Sequence, residues 1–423
     1  MTWLRDIAYA FVLLVTAPVW LWRLIATGKW QTDWAGRLGR APRLPNPDGQ
    51  PRVLIHAVSV GEVNAVRALV EQLADRDDLE VVVATTTNTG FDRATSVFGD
   101  RLTVLRYPLD FSGAVRRFLD RVRPTAVVQV ELELWPNFVT WCRHRGIAVL
   151  VVNGRLSERS FRRYRLIAPL VRPVFAAVTA AAVQTDVYAR RFEALGTPAQ
   201  AITVAGSMKW DTAPDPGDVT GADALAEALG IDHDRPVIVA GSTGPGEETW
   251  LTERCPDGAQ LILVPRKPER FDAVAADLPG IVRRSDHPDG QTGPGGDRFL
   301  LDTMGELLKA YQLADIAIVG RSFLGLHGSN PLEPIGLGRP TLIGPHHDDF
   351  KQMVAALADE DGILVTDDPG PVLADLLDDP DRRQALAERG RAVIEANRGA
   401  TDRQAALILE HLPLTSDAAR PTD

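Results

Sequence analysis

Short apolar runs recur along this chain, and many of them stop at a small or polar residue. The segment 302–350 shows the pattern most fully. Ile316–Val319 stops at Gly320, and a loop of small residues leads to Asn330, Pro331, Leu332 and Glu333. A further run, residues 340–343, stops at Gly344-Pro345. This order reads as strand, loop, helix start, strand. In open α/β sheets, ligands bind beyond the carboxyl ends of the strands, and helix N-termini attract anions. The segment therefore predicts a nucleotide-sugar site.

The same grammar runs through the rest of the chain. Strands are predicted at 53–58, 80–84, 126–130, 148–152, 178–184 and 202–205, with a helix at 63–73. Residues 211–219, rich in Pro, Asp and Gly, read as a linker. A second series follows at 237–240, 260–264, 316–319, 341–343 and 362–365, and residues 379–412 read as helical. Residues 280–296 have no apolar period and read as a loop. A chain of 423 residues is too long for one ordinary core. The expectation is an α/β protein of two similar domains with a cleft between them, at 31–210 and 220–412, with a polar tail at 413–423.

Residues 7–22 carry no charge. Their length falls slightly short of the roughly 20 residues that span a bilayer. Arg5 and Asp6 precede them, Arg23 and Lys29 follow, and Trp3, Trp20, Trp22 and Trp30 are placed to meet a membrane interface. No small-residue cleavage site is evident, so residues 1–30 read as a retained membrane anchor with the main body on the cytoplasmic side. A net charge of −10 argues against general nucleic-acid binding. Two cysteines, Cys142 and Cys255, are too few for a disulfide framework or a cysteine metal cluster.

Polar residues at the predicted strand ends are the candidates for chemistry. Glu62 follows Ser59-Val60-Gly61 beyond the first strand, where an acid can deprotonate a hydroxyl. A glutamate also suits the first turn of a helix for electrostatic reasons alone. Glu131 and Glu133 follow the strand 126–130; one of them could equally cap the next helix. Asn153 to Arg159, with Arg162, Arg163 and Arg165, puts a basic stretch beyond another strand, fit for phosphate or for solvent. Lys209 stands just before the linker, where a point charge could serve transfer or simply face water. In the second half, Gly241-Ser242-Thr243 and Gly246-Glu247-Glu248 form a turn whose N–H groups suit an anion. Arg266 and Met304-Gly305-Glu306 also follow strands or open helices. No Walker-type glycine loop and no trustworthy metal-ligand spacing is present.

In order, these motifs resemble the Kdo (3-deoxy-D-manno-octulosonic acid) transferases of lipopolysaccharide synthesis. The segments are HAVSVGE at 56–62, TTTNTG at 85–90, VELELWPN at 130–137, NGRLSERS at 153–160, GSMKWD at 206–211, PRKPERF at 265–271, DTMGEL at 302–307 and NPLEP at 330–334. The resemblance implies a GT-B fold, two Rossmann-like domains facing a central cleft, and an inverting transfer from CMP-Kdo, without metal or cofactor. The implied acceptor is the acylated, phosphorylated glucosamine disaccharide that precedes lipid A, and the implied location is the cytoplasmic face of the inner membrane. It makes Glu62 the proton acceptor, with Glu131 and Lys209 stabilising the transition state. It puts the donor against Pro265, Arg266, Met304, Gly305, Glu306, Asn330, Pro331, Leu332 and Glu333. Gly36, Gly244, Lys267 and Ser329 depart from its pattern. Other readings are a GT-B transferase or epimerase for another nucleotide sugar, or a non-catalytic paralogue.

Overall fold

Residues of the first strand alternate between two apolar layers. β1 (Arg52–His56) turns Val53 and Ile55 toward Val63, Val66, Leu69, Val70 and Leu73. It turns Leu54 toward Val115, Phe118, Leu119 and Phe138 on the opposite face. Burial on both faces is what a parallel sheet covered by helices demands, and it explains the unbroken apolar runs. Each fully buried Leu or Val contributes about 1.5–3 kcal/mol relative to exposure.

The computed structural model describes residues 5–7, 9–11, 14–18, 22, 32–46 and 49–414. The chain forms two compact units, Met1–Lys209 with Gly399–Asp423, and Trp210–Arg398. The first unit adds β2 (Glu80–Thr85), β3 (Thr103–Arg106), β4 (Ala126–Val130), β5 (Ala148–Gly154), β6 (Ala180–Val183) and β7 (Ile202–Val204). Its strands are parallel in the order β3-β2-β1-β4-β5-β6-β7. The chain leaves β1 for one side and returns to β4 on the other, so the order reverses between β1 and β4. That reversal is where open α/β sheets bind ligands.

The second unit repeats the plan with β8 (Val237–Thr243), β9 (Gln260–Pro265), β10 (Val282–Arg283), β11 (Arg298–Leu300), β12 (Ile316–Val319), β13 (Thr341–Ile343) and β14 (Leu364–Val365). The order is β10-β11-β9-β8-β12-β13-β14, again parallel, and it reverses between β8 and β12.

Several boundaries differ from the sequence reading. The predicted helix 63–73 begins at Val60 and breaks at Val66, giving Val60–Ala65 and Arg67–Ala74. Residues 280–296 contain β10 and a 3-10 turn, Arg284–Asp286. The helical stretch 379–412 breaks at Gly399, whose φ of 81° ends one helix and starts another. The second of these, Ala400–Glu410, belongs to the first unit rather than the second. Leu407 and Ile408 pack in the layer with Val53 and Val128, and the Gln404 Oε1 accepts the Asn153 N–H at 2.6 Å. The start of the expected linker is docked: Trp210 and Ala213 pack with Leu332 and Ile335, and Arg398 donates to the Ala213 and Pro214 carbonyls.

Most of the predicted anchor lies outside the described residues. Its start is pinned to the first unit. Arg5 Nη1 donates to Thr140 Oγ1 at 2.8 Å, Asp6 accepts the Ser112 N–H at 3.0 Å, and the Tyr9 hydroxyl donates to Asp110 at 3.0 Å. Ile7, Phe11, Leu14, Val15 and Trp22 are exposed apolar side chains. Among the described residues, no helix is long and apolar enough to cross a membrane.

Candidate functional site

The first reversal point gathers three carboxylates. Glu62 sits in the first turn of Val60–Ala65, immediately beyond β1. Its Oε2 accepts the Val58 N–H at 2.8 Å, and its Oε1 accepts the Ser59 hydroxyl at 3.1 Å. These bonds fold the side chain back over its own strand end. Burial raises its pKa, as does the Glu131 charge, while the Val58 and Ser59 bonds oppose the rise.

Glu131 comes straight after β4, with a φ of 59° that few L residues adopt. Glu133 is pushed up to about 7 by burial first, then by Glu62 and Glu131, against a bond from the Trp135 indole N–H at 3.1 Å. The structure thus brings Glu62, Glu131 and Glu133 into one electrostatic group. The sequence motif gives no reason to single out Glu133, because its shift comes from the tertiary approach of Glu62. A carboxyl that titrates near neutrality beside a raised glutamate is a common mark of acid–base chemistry.

A buried network underlies this corner. The His56 ring stacks on Tyr107 with centroids 3.5 Å apart. Its Nδ1 meets Gln129 Oε1 at 2.8 Å, its Nε2 meets Thr86 Oγ1 at 3.0 Å, and Gln129 Nε2 donates to the Tyr107 hydroxyl at 3.0 Å. Burial, against the Gln129 bond, lowers the His56 pKa to about 3 and keeps it neutral. The segment TTTNTG acts on the same strand end. Thr87 donates both its N–H and its hydroxyl to the Val58 carbonyl, each at 3.0 Å. Val58 in turn holds Glu62.

Lys209 is the last residue of the first unit, between Met208, buried in that unit's core, and Trp210, buried in the other's. Asn153, next to last in β5, has a φ of 52°, and its side-chain amide is buried with no hydrogen-bond partner among the described residues. The basic stretch after it forms Glu158–Leu166, a helix with no buried residue, where Arg162 and Arg191 pair with Glu158.

In the second unit the donor candidates fall into two groups. Pro265 ends β9, and Arg266 follows it with its N–H on the Thr243 carbonyl at 3.1 Å. Glu333 lies within reach of Arg266 and Asn330: burial raises its pKa, and the Asn330 bond and the Arg266 charge oppose the rise. Asn330 Oδ1 also accepts the Leu332 N–H at 3.2 Å, fixing the turn through Pro331. The other group is Met304, Gly305 and Glu306. Met304 is largely exposed, and Gly305 has a φ of 85°. Glu306 is tied by Arg284 and Lys309, each at 3.2 Å, and by the Thr303 hydroxyl. Burial raises its pKa, but those bonds outweigh it and hold the carboxylate low.

The turn at Gly244–Glu248 differs from its sequence reading. Its amides are expected to suit an anion, yet the Gly244 N–H is taken by a carboxylate of the chain itself. The fully buried Glu247 carboxylate accepts the N–H groups of Gly244, Arg321 and Phe323 at 2.8, 2.5 and 3.0 Å. Glu248 is held by Arg270 at 2.8 Å through both oxygens and by the Thr243 hydroxyl at 2.7 Å. Both glutamates thus brace the loops. Among the described residues, no His, Cys, Asp and Glu cluster could hold a metal ion.

Two parallel α/β units, each with a polar corner at its reversal point, resemble the GT-B glycosyltransferases. UDP-GlcNAc 2-epimerase from Neisseria meningitidis, solved with UDP-GlcNAc, superposes at a TM-score of 0.55 and 12% identity, over 85% of this chain and 100% of that one. At that identity the likeness is one of fold. The sequence is more specific. Residues 32–212 match the family model described as 3-deoxy-D-manno-octulosonic-acid transferase (kdotransferase). The 3-deoxy-D-manno-octulosonic acid transferase of Bordetella pertussis is 36% identical over 93% of this chain and 96% of that protein. That of Haemophilus influenzae is 33% identical over 87% of this chain and 88% of that protein. The chain belongs to the Kdo transferase family, and its activity is glycosyl transfer of Kdo.

Proposed function

We propose that the chain transfers Kdo from CMP-Kdo to the acylated, phosphorylated glucosamine disaccharide that precedes lipid A, with inversion, at the cytoplasmic face of the inner membrane. The observation that carries this reading is the carboxylate group at the β1/β4 reversal, with Glu62 raised and held by Val58 and Ser59. In the ionised form Glu62 accepts the proton of an acceptor hydroxyl. The freed oxygen bonds the anomeric carbon, while the bond from that carbon to the CMP phosphate oxygen breaks and CMP leaves with the electron pair. One displacement inverts the centre. The transition state resembles an oxocarbenium ion, which the Glu131 carboxylate stabilises by its charge, and Lys209 stabilises the departing phosphate.

Arg266, Asn330 and Glu333 hold the donor together with Pro265, Pro331, Leu332, Met304, Gly305 and Glu306. No metal or cofactor enters the scheme. The exposed Phe11, Leu14, Val15 and Trp22 support membrane association, since a row of such side chains suits a lipid interface better than water.

The test is direct. Purified protein, CMP-Kdo and the lipid precursor in detergent should yield a lipid heavier by at least one Kdo by mass spectrometry. Glu62→Gln should lower kcat by roughly 100-fold or more, the usual worth of a positioned base. Full activity in that variant would remove Glu62 from the mechanism. Release of Kdo from CMP-Kdo without transfer to the lipid would refute the acceptor.

A further inference from the structure

Arg321 has no part in the scheme above. It stands two residues beyond the end of β12, after Gly320, at the β8/β12 reversal of the second sheet. Its φ is 59°, in the left-handed region that an arginine seldom adopts. Glu247 holds it there: the buried carboxylate takes the Arg321 N–H at 2.5 Å and the Phe323 N–H at 3.0 Å. The Gly328 N–H closes on the Arg321 carbonyl at 2.8 Å. A strained residue fixed by a buried charge is a device that folds keep at ligand sites.

The side chain is aimed by this backbone. It passes over Gly244, where an added methyl group would lie 3.1 Å from Arg321 Cγ. The other arginines of this edge are engaged: Arg270 grips Glu248 through both oxygens, and Arg266 acts on Glu333. The Arg321 guanidinium has no hydrogen bond or ion pair to any described residue. Across the reversal stands Ser242, also left-handed with a φ of 56°, and its carbonyl accepts the Ser329 hydroxyl at 3.3 Å. That bond ties the corner to the Asn330–Glu333 turn. The first unit places Glu131, with the same φ of 59°, at the corresponding corner of its own sheet. Glu131 directly follows β4 and Arg321 comes one residue later after β12, so the two sheets carry opposite charges just beyond corresponding strands.

We propose that Arg321 is a donor-recognition residue whose guanidinium binds an oxyanion of the donor. A planar fork of N–H donors fits phosphate and carboxylate alike, and the donor carries both, a nucleotide phosphate and a sugar-acid carboxylate. The proposal rests on the second unit being the donor unit of the reaction above.

Arg321→Gly is the informative variant, because glycine favours the observed backbone and removes only the side chain. Its melting temperature should equal or exceed that of the parent protein. The KM for CMP-Kdo should rise about 10- to 100-fold, the worth of a charge-assisted hydrogen bond, with kcat changed much less. Arg321→Lys should recover part of the loss. Calorimetry with CMP alone separates the two oxyanions: weakened binding identifies the phosphate, and unchanged CMP binding with a raised CMP-Kdo KM identifies the carboxylate. An unchanged KM together with unchanged CMP binding overturns the proposal, as does a lowered melting temperature with no change in KM. If the parent protein transfers no Kdo, yet binds CMP more tightly than Arg321→Gly does, the proposed reaction fails and the role of Arg321 stands. If it transfers none and the two bind CMP equally, both fail.

Discussion

Glu133→Gln should stabilise the protein above neutral pH and change little below pH 4.5. Glu133 titrates at about 7 against an ordinary 4.5, through burial first and then the charges of Glu62 and Glu131. The folded-state value lies above the unfolded one, so folding is helped by protonation. That contribution is complete below the unfolded value of 4.5 and is lost as pH rises through 7. The gap of about 2.5 pH units sets a ceiling of roughly 3.4 kcal/mol at 1.36 kcal/mol per unit. Glu133 is partly open to water, and screening brings the figure to about 1–2 kcal/mol.

Glutamine keeps the shape and can still accept the Trp135 indole N–H. Unfolding free energies of the two proteins from urea titrations should therefore differ by about 1–2 kcal/mol at pH 8.5, in favour of the variant, and converge as pH falls below 4.5. A difference independent of pH, or a variant less stable at pH 8.5, would refute the reasoning.

Other outcomes follow from the same geometry. Gly320→Ala should cost about 1–3 kcal/mol and lower the melting temperature by several degrees, because its Cβ would lie 2.6 Å from Thr243 Cα and 2.8 Å from Thr243 N, both backbone atoms that cannot swing aside. Glu247→Ala strands three N–H groups at 1–3 kcal/mol each, so about 3 kcal/mol or more should be lost in urea unfolding. Thr87→Val loses the hydroxyl bonds to the Val58 carbonyl and from the Gly90 N–H. It should cost about 1 kcal/mol in urea unfolding and reduce kcat, with Thr87→Ser restoring both.

The strands with unbroken Val, Ile and Leu were legible because burial on both faces leaves no other composition. β3, β10 and β11 were not, since they are short and include Arg106, Arg283 and Arg298. The positions of Glu62 and Glu131 were readable from the strands that precede them. What they do to one another was not, because the rise in Glu62 and Glu133 depends on distances that sequence does not state. The Gly244–Glu248 turn misleads as a sequence: a glycine-bearing helix start suggests a waiting anion, and only the coordinates show Glu247 filling that place. Arg321 leaves no mark in the sequence beyond a lone arginine among small residues. Its meaning comes from a backbone angle and a guanidinium with no hydrogen bond or ion pair to any described residue.

The helix Ala400–Glu410 has a consequence for the order in which the protein can mature during synthesis. The first unit is not continuous in the chain: its sheet is translated early, but Leu407 and Ile408, which cover one of its faces, come after the whole of Trp210–Arg398. At about 5–20 residues per second, the ribosome needs roughly 10–40 s to make that intervening unit. During this time the second unit can fold to completion, while Val53, Val128 and Val152 await their cover and the Asn153 N–H awaits Gln404. The half of the molecule that begins first is therefore the half that is finished last, and a ribosome that stalls before residue 400 releases a chain whose first sheet is still open.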